Sequence, residues 1–268
     1  MPHDANFLTD NPELYEQQFP DPDEIAARFV LDLVESFVDT PAAPGRELLD
    51  VGCGTGRDAA CWARHGWQVT GLDSSPRMVE HAARRCPRGR FSVADMRAFS
   101  FDRGFDVITC LDSAFLYCHR NAELVEFLTR CRRHLRPGGL LIAEMRNGAF
   151  FLGNTELLDG VREREVRWQG ATYRSRTRLW IDHAAQLLRR ERIWDLPDRT
   201  EPLAQRSAWR LLFPQEIRFL LESTGFEVLA LFDEPGPRTD PAWRPGAELT
   251  SGVSTALSGD RLHLVARV

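Results

Sequence analysis

The sequence contains no lysine. Arginine supplies all of its 34 basic residues, which stand against 39 acidic residues and leave a net charge of −5. The arginines are spread along the chain or lie in amphipathic helical segments, so they form no single basic patch. Nucleic-acid-binding domains usually carry such a patch, and an acidic net charge repels a polyanion. We therefore expect no nucleic-acid partner.

Long apolar runs and a secretion signal are also missing. No segment approaches the roughly 18 apolar residues of a membrane-spanning helix. Residues 1–24 are acidic and interrupted by proline, whereas a secretory signal is basic and then apolar. The six cysteines form no C-x-x-C pair, which favours small buried hydrophobes over a zinc site or a disulfide framework. We expect a cytoplasmic protein with no metal and no membrane partner.

Short apolar strands alternate with helices through the first 150 residues. The pattern predicts strands at residues 47–51, 68–72, 91–94, 105–111 and 140–145, with helices between them. A helix at 214–224 and strands at 226–232 and 262–268 continue the pattern near the end. This alternation is typical of a doubly wound α/β fold with a mainly parallel, seven-stranded sheet.

Two segments stand apart from that alternation. Residues 161–195 alternate polar and apolar side chains with period two, which predicts antiparallel strands with one face in water. Residues 1–45 contain helical spacing ahead of the first strand. We predict a single domain over 1–268, with N-terminal cap helices in 1–45 and an inserted antiparallel β-layer in 150–210.

A glycine-rich turn follows the first predicted strand. Residues 48–56 read LLDVGCGTG, so that an acid, Asp50, precedes three glycines spaced G-x-G-x-G. Glycines allow a sharp turn and close approach of a ligand to the backbone, and a helix N-terminus follows. An NAD-dependent oxidoreductase is an alternative, because dinucleotide-binding domains carry G-x-G-x-x-G at this place. The third glycine comes one residue early for that motif.

Residues 48–60, LLDVGCGTGRDAA, resemble the first motif of class I S-adenosylmethionine (SAM)-dependent methyltransferases. The segments VTGLDSS, FSVADM, FDVITCLDSAF and LRPGGLLIAEM follow in the order of that family. Two further segments, LYEQQFPD and RLLFPQEIRFLLESTGFEVLALF, resemble the small-molecule subgroup that includes amino-sugar and glycine N-methyltransferases. The resemblance covers residues 10–150 closely and 205–268 loosely. It implies SAM as cofactor and S-adenosylhomocysteine as product.

The resemblance also implies roles for individual residues. Asp73 would bind the ribose hydroxyls, Asp95 would accept the adenine amine with Met96 against the ring, and Tyr15 would close over the cofactor. The implied cofactor-binding residues are Tyr15, Asp50, Gly52, Gly54, Gly56, Asp73, Ser74, Met78, Asp95, Met96, Leu111 and Asp112.

Methyl transfer from a sulfonium is an in-line displacement, which needs orientation of the reactants more than a protein nucleophile. An amine acceptor can react without a protein base, whereas a hydroxyl acceptor needs one. The candidate bases are His119, Tyr15 and Glu144. The candidate acceptor-binding residues are Arg146, Trp180 and Arg210.

Several alternatives stay open at this point. The acceptor is a small molecule, expected in secondary metabolism, but methylation at N, O or C is not distinguished. A protein of this fold that binds the cofactor without methylating, such as a cyclase or a regulatory partner, is a further alternative. The predicted β-layer either covers the acceptor or forms the surface of a homodimer.

Overall fold

The computed structural model describes residues 7–38, 46–153, 158, 160–237, 245–246, 249 and 253–268. In chain order its strands are β1 (Glu47–Val51), β2 (Gln68–Asp73), β3 (Arg90–Val93), β4 (Phe105–Cys110), β5 (Leu135–Arg146), β6 (Val161–Trp168), β7 (Ala171–Asp182), β8 (Leu187–Asp195), β9 (Leu203–Arg210), β10 (Glu227–Phe232) and β11 (Arg261–Arg267).

Seven α-helices lie in the described ranges: α1 (Pro12–Gln18), α2 (Ile25–Phe37), α3 (Arg57–Arg64), α4 (Pro76–Arg85), α5 (Asn121–His134), α6 (Gly148–Gly153) and α7 (Pro214–Ser223). A short 3₁₀ helix covers Ala114–Tyr117. None of the helices in the described ranges is long and apolar enough to cross a membrane. Of the predicted cap at 1–45, the structure describes 7–38, which hold α1 and α2.

The main sheet has seven strands in the order β10-β11-β5-β4-β1-β2-β3, and β11 is antiparallel to both of its neighbours. The central strand β1 shows why helices cover both faces. Leu48 packs into a core with α2 and α3, while Leu49 and Val51 pack into the core that contains α5 and α7. Parallel strands that are buried on both sides require this arrangement. The predicted doubly wound sheet is confirmed.

A second sheet contains four antiparallel strands in the order β6-β7-β8-β9. The predicted β-layer is therefore present, with one strand more than the alternation in 161–195 indicates. The last three residues of β9 are all buried, which removes the period-two pattern from that strand. Leu188 and Trp209 of this sheet belong to the same apolar core as the main sheet, so the layer is packed on the parallel domain.

Helix α1 bridges the two sheets. Leu14 shares an apolar cluster with Trp194 of the second sheet, and the side-chain amide of Gln17 donates to the carbonyl of Arg167 at 2.8 Å. On its other side Glu16 pairs with Arg85 of α4. The helix is therefore held by both parts of the molecule.

Arg210, at the end of β9, fastens the second sheet to the helices of the parallel domain. Its guanidinium is buried and donates to Glu216 of α7 at 2.7 Å and to the side chain of Asn121, at the start of α5, at 3.3 Å. These bonds occupy the guanidinium inside the protein. Arg210 therefore links the two parts of the protein, and the acceptor-binding role expected from the sequence stays a prediction.

We expect Arg210→Met to lower the free energy of unfolding by about 2–4 kcal/mol, because it leaves the Glu216 carboxylate without its buried partner. The matched control is Arg206→Gln on the same strand, whose exposed pair with Glu191 should contribute less than about 1 kcal/mol. Urea denaturation followed by tryptophan fluorescence measures both. Equal stabilities of the two variants would contradict the structural role of Arg210.

Candidate functional site

A cleft opens at the carboxyl ends of β1 and β4. These strands are neighbours in the sheet, and the chain order reverses between them, which is where α/β sheets bind their ligands. The polar side of the cleft comes from the segments that follow the two strands, and α2 supplies an apolar wall. The lining includes Asp50, Gly52, Gly54, Leu111, Asp112, Phe29, Val30 and Leu33.

The turn after β1 needs its glycines. Gly52, Gly54 and Gly56 have φ angles of +81°, +52° and +71°, in the left-handed region that side chains disfavour. A Cβ on Gly56 would also lie 2.7 Å from the Cβ of Ala82 in α4, so α3 and α4 pack closely only because this residue is glycine. Gly52 and Gly54 line the cleft, whereas Gly56 serves the packing behind it.

Asp73, at the end of β2, braces this turn. One carboxylate oxygen accepts the backbone N–H of Gly54 at 3.0 Å, and the other accepts that of Ser75 at 2.8 Å. Burial raises the pKa of Asp73, and these backbone bonds oppose that rise. The predicted cofactor residue therefore also fixes the backbone from which the ligand would be held.

Asp50 is the most deeply buried acid of the cleft, with 4% of its surface exposed. Its carboxyl group accepts a hydrogen bond from the hydroxyl of Thr109 on β4 at 2.8 Å. Burial, together with the negative charges of Asp58 and Asp73, raises the pKa of Asp50 to about 8. A cation bound in the cleft would favour its ionised form.

The segment after β4 has an unusual backbone. Asp112 and Ser113 have φ angles of +54° and +64°, which cost free energy in residues other than glycine. Glu144 of β5 holds both of them, because its carboxylate accepts the N–H of Asp112 and its carbonyl accepts that of Ser113, each at 2.9 Å. Arg261 of β11 donates to the other carboxylate oxygen of Glu144 at 2.9 Å. Glu144 is thus engaged in positioning this loop.

Tyr15 of α1 reaches the same loop from the opposite side. Its hydroxyl donates to the carboxylate of Asp112 at 3.1 Å, and its ring packs on Phe19. Tyr15 and Asp112 line both the cleft and a second, larger cavity. The two spaces are therefore adjacent, with the Tyr15–Asp112 hydrogen bond at their boundary.

The second cavity contains residues that no sequence motif marks as part of a site. Besides the predicted Arg146, its walls include Tyr117 from the 3₁₀ helix, Arg190 from β8 and Trp209 from β9. No motif marks the last three, since they meet only when the second sheet packs on the main sheet. Pairing of Trp209 with Leu188 in adjacent antiparallel strands places Arg190 close to it.

Three predicted residues lie away from both spaces. The Nε2 of His119 donates to the carbonyl of Ala208 at 2.9 Å, which ties the start of α5 to β9. Trp180 is 36% exposed on β7 and lies beneath Arg178. Arg210 is held by Glu216, as described above. Neither a basic ring nitrogen of His119 nor the Trp180 indole is presented to the cavities in the described part of the chain.

The residues expected to bind ribose and adenine follow β2 and β3 at the edge of the sheet. Asp95 is exposed and forms a two-bond pair with the guanidinium of Arg97, which lowers the pKa of Asp95. Met96 is half-buried against the core, and Met78 is buried in α4 with its N–H donated to Ser75. A carboxylate in such a pair keeps free lone pairs, so the adenine role of Asp95 stays a prediction, as does that of Ser74.

The chain is similar to known methyltransferases. A family model for a methyltransferase domain matches residues 48–139. The dTDP-4-amino-2,3,4,6-tetradeoxy-D-glucose N,N-dimethyltransferase of Saccharopolyspora spinosa is 30% identical over 201 residues, which are 75% of this chain and 71% of that protein. The dTDP-3-amino-3,4,6-trideoxy-alpha-D-glucopyranose N,N-dimethyltransferase of Streptomyces venezuelae is 34% identical over 115 residues, 43% of this chain and 47% of that protein.

Solved structures show the same fold. The SAM-bound structure of CalS10, an amino pentose methyltransferase from Micromonospora echinaspora, matches with a TM-score of 0.67 and 23% identity, covering 96% of this chain and 95% of that one. The match extends through the second sheet as well as the parallel domain.

The raised pKa of Asp50 has a consequence for stability. Between its ordinary value of 3.8 and about 8, the folded protein keeps a proton that the unfolded chain has lost. Stability contributed by this group is therefore present at low pH and is lost as pH rises towards 8. Asp50→Asn keeps an acceptor for Thr109 and removes the titration. As pH rises from 5 to 8, we expect the free energy of unfolding of the variant to increase relative to that of the wild type. The expected increase is up to about 1.4 kcal/mol per pH unit.

Urea denaturation at a series of pH values measures this difference, and other titrating groups cancel because both proteins share them. If the free energy of unfolding changes with pH in the same way for the two proteins, Asp50 is already ionised in the folded state at neutral pH.

Proposed function

The chain belongs to the SAM-dependent methyltransferases related to sugar N,N-dimethyltransferases, and we propose that its small-molecule acceptor is an amino sugar methylated on nitrogen. The observation that carries the proposal is the 30% identity, over 75% of the chain, with an enzyme that dimethylates the amino group of a dTDP-sugar. The cleft and the adjoining cavity give such an acceptor a place beside the cofactor. The predicted cytoplasmic location stays a prediction.

The residues of the cleft fit SAM, which supplies an electrophilic methyl group on a sulfonium. Asp50 would hold the ammonium group, because a neighbouring cation offsets the burial that raises its pKa. The glycine turn and the first N–H groups of α3 would hold the carboxylate. Asp73 would accept the ribose hydroxyls, and Asp95 the adenine amine.

The residues at the boundary of the two spaces would orient the reactants. Asp112 is fixed by Glu144 and by Tyr15, so its carboxylate has a defined position from which to accept an N–H bond of the acceptor amine. Tyr15 and α1 would exclude water from this point. Orientation of this kind lowers a barrier by as much as about 7–11 kcal/mol.

Within the described ranges the predicted bases are all engaged with other protein groups, which supports nitrogen as the acceptor atom. His119 is bonded to a backbone carbonyl, and both carboxylate oxygens of Glu144 accept hydrogen bonds. The Tyr15 hydroxyl donates its hydrogen bond to Asp112. An unprotonated amine needs no such base, whereas a hydroxyl acceptor does.

The position of the second sheet supports its role as a cover over the acceptor. Its strands β8 and β9 contribute Arg190 and Trp209 to the larger cavity, and β9 is anchored to the parallel domain by Arg210. The exposed face of the sheet is free to serve the alternative role, a homodimer contact. Sedimentation and turnover measured on the same Trp180→Ser variant would separate the two roles.

We expect the protein to transfer one methyl group and then a second from SAM to a dTDP-linked amino sugar. The matched control acceptor carries a hydroxyl in place of the amine and should not react. Product mass spectrometry with labelled SAM measures both.

Asp73→Ala should weaken cofactor binding by about 1.5–3 kcal/mol, the usual contribution of hydrogen bonds to a charged group.

Preferential methylation of the hydroxyl analogue would overturn the assignment to nitrogen. Absence of binding of S-adenosylhomocysteine by calorimetry would contradict the cofactor site itself.

A further inference from the structure

Two arginines lie against one indole in the larger cavity. The guanidinium carbon of Arg190 is 4.7 Å from the ring centroid of Trp209, and that of Arg146 is 5.2 Å from it. The ring of Tyr117 lies 6.1 Å from the same indole. These side chains come from β8, β9, the end of β5 and the 3₁₀ helix, and all of them line the cavity.

The two arginines differ from the other cationic residues of the cavity wall. Arg261 pairs with Glu144 at 2.9 Å, and Arg57 donates to the carbonyl of Phe19 at 2.8 Å. Within the described ranges, Arg146 and Arg190 form no salt bridge, and the Nε of Arg190 is buried without a hydrogen-bond partner. Burial lowers the pKa of Arg190, and burial together with the charge of Arg261 lowers that of Arg146 to about 10.

Removing the guanidinium groups of Arg146 and Arg190 from water costs free energy in the protein without a ligand. Removing a guanidinium from water is offset only when an anion or hydrogen-bond acceptors replace the lost hydration. The ring quadrupole of Trp209 attracts each of the two cations. An oxyanion from outside would replace the lost hydration, because the planar guanidinium matches the two oxygens of a carboxylate or phosphate.

Arg146 and Arg190 lie in the cavity that adjoins the cofactor cleft. The cavity shares Tyr15, Arg57 and Asp112 with the cofactor cleft, so a molecule held by the two arginines has a path to the boundary of the two spaces. We propose that Arg146 and Arg190, against Trp209, form an oxyanion subsite that binds a phosphate or carboxylate group of the acceptor. This inference rests on the proposed function in assigning the cavity to the acceptor, and it adds which side chains bind the anionic group of that acceptor.

Binding of simple anions tests the subsite without turnover. Calorimetry would be run with inorganic diphosphate, as the phosphate source, and with citrate, as the carboxylate source, with and without S-adenosylhomocysteine. We expect one of the two to bind the wild type, more weakly at high salt. Arg146→Gln and Arg190→Gln should each weaken that binding by about tenfold or more, as expected for loss of a charge-assisted contact.

Arg178→Gln is the matched control. Arg178 also lies over an indole, 6.0 Å from the centre of Trp180, but on the exposed part of the second sheet outside the cavity. The Arg178→Gln variant should bind the anions with the same affinity as the wild type. Arg190→Lys keeps the charge and loses the two-oxygen geometry, so it should fall between wild type and Arg190→Gln and remain informative if the glutamine variant folds poorly.

The outcomes are distinct. Tighter binding of diphosphate identifies a phosphorylated acceptor such as a nucleotide-linked sugar, and tighter binding of citrate identifies a carboxylate. Binding of neither anion, or equal binding by the wild type and both glutamine variants, overturns the subsite. Failure to bind S-adenosylhomocysteine contradicts the proposed function instead, and the anion titration without it still decides the subsite.

Discussion

The left-handed backbone of Asp112 and Ser113 is the constraint on which both binding spaces depend. Because Asp112 lines the cleft and the larger cavity, its position sets where the two meet. The strain is sustained by Glu144, and Arg261 holds Glu144 in turn. Strand β11 therefore supports the site although it contributes no motif to it. An antiparallel strand beside β5 is the element that brings Arg261 to this carboxylate.

Charge divides the site into two unlike halves. Carboxyl groups dominate the cofactor cleft, where Asp50 and Asp112 line a space suited to a cation. The larger cavity is lined by the guanidinium groups of Arg146 and Arg190, neither of which has a salt-bridge partner in the described ranges. An anionic ligand is repelled by the carboxyl groups of the cleft, and a cationic ligand is repelled by the guanidinium groups of the cavity. Repulsion therefore contributes to specificity together with attraction.

Local pattern was sufficient to predict the parallel sheet, the glycine turn and the antiparallel layer, because each depends on residues close in sequence. The larger cavity was not predictable in the same way. The alternation in 161–195 indicates that Trp180 faces one surface of the second sheet, but it ends before Trp209 and does not indicate which tryptophan faces the cavity. The orientation of these tryptophans depends on how the second sheet packs on the main sheet. The hydrogen bond of His119 to the carbonyl of Ala208 depends on the same packing. Ser113 and Arg261, 148 positions apart, carry no sequence signal of their contact.

Helix α1 contacts the second sheet through Leu14 and α4 through Glu16, and its Tyr15 stands where the two spaces adjoin. Because one helix touches both walls, the two spaces are coupled: any displacement of α1 would change the cofactor cleft and the larger cavity together.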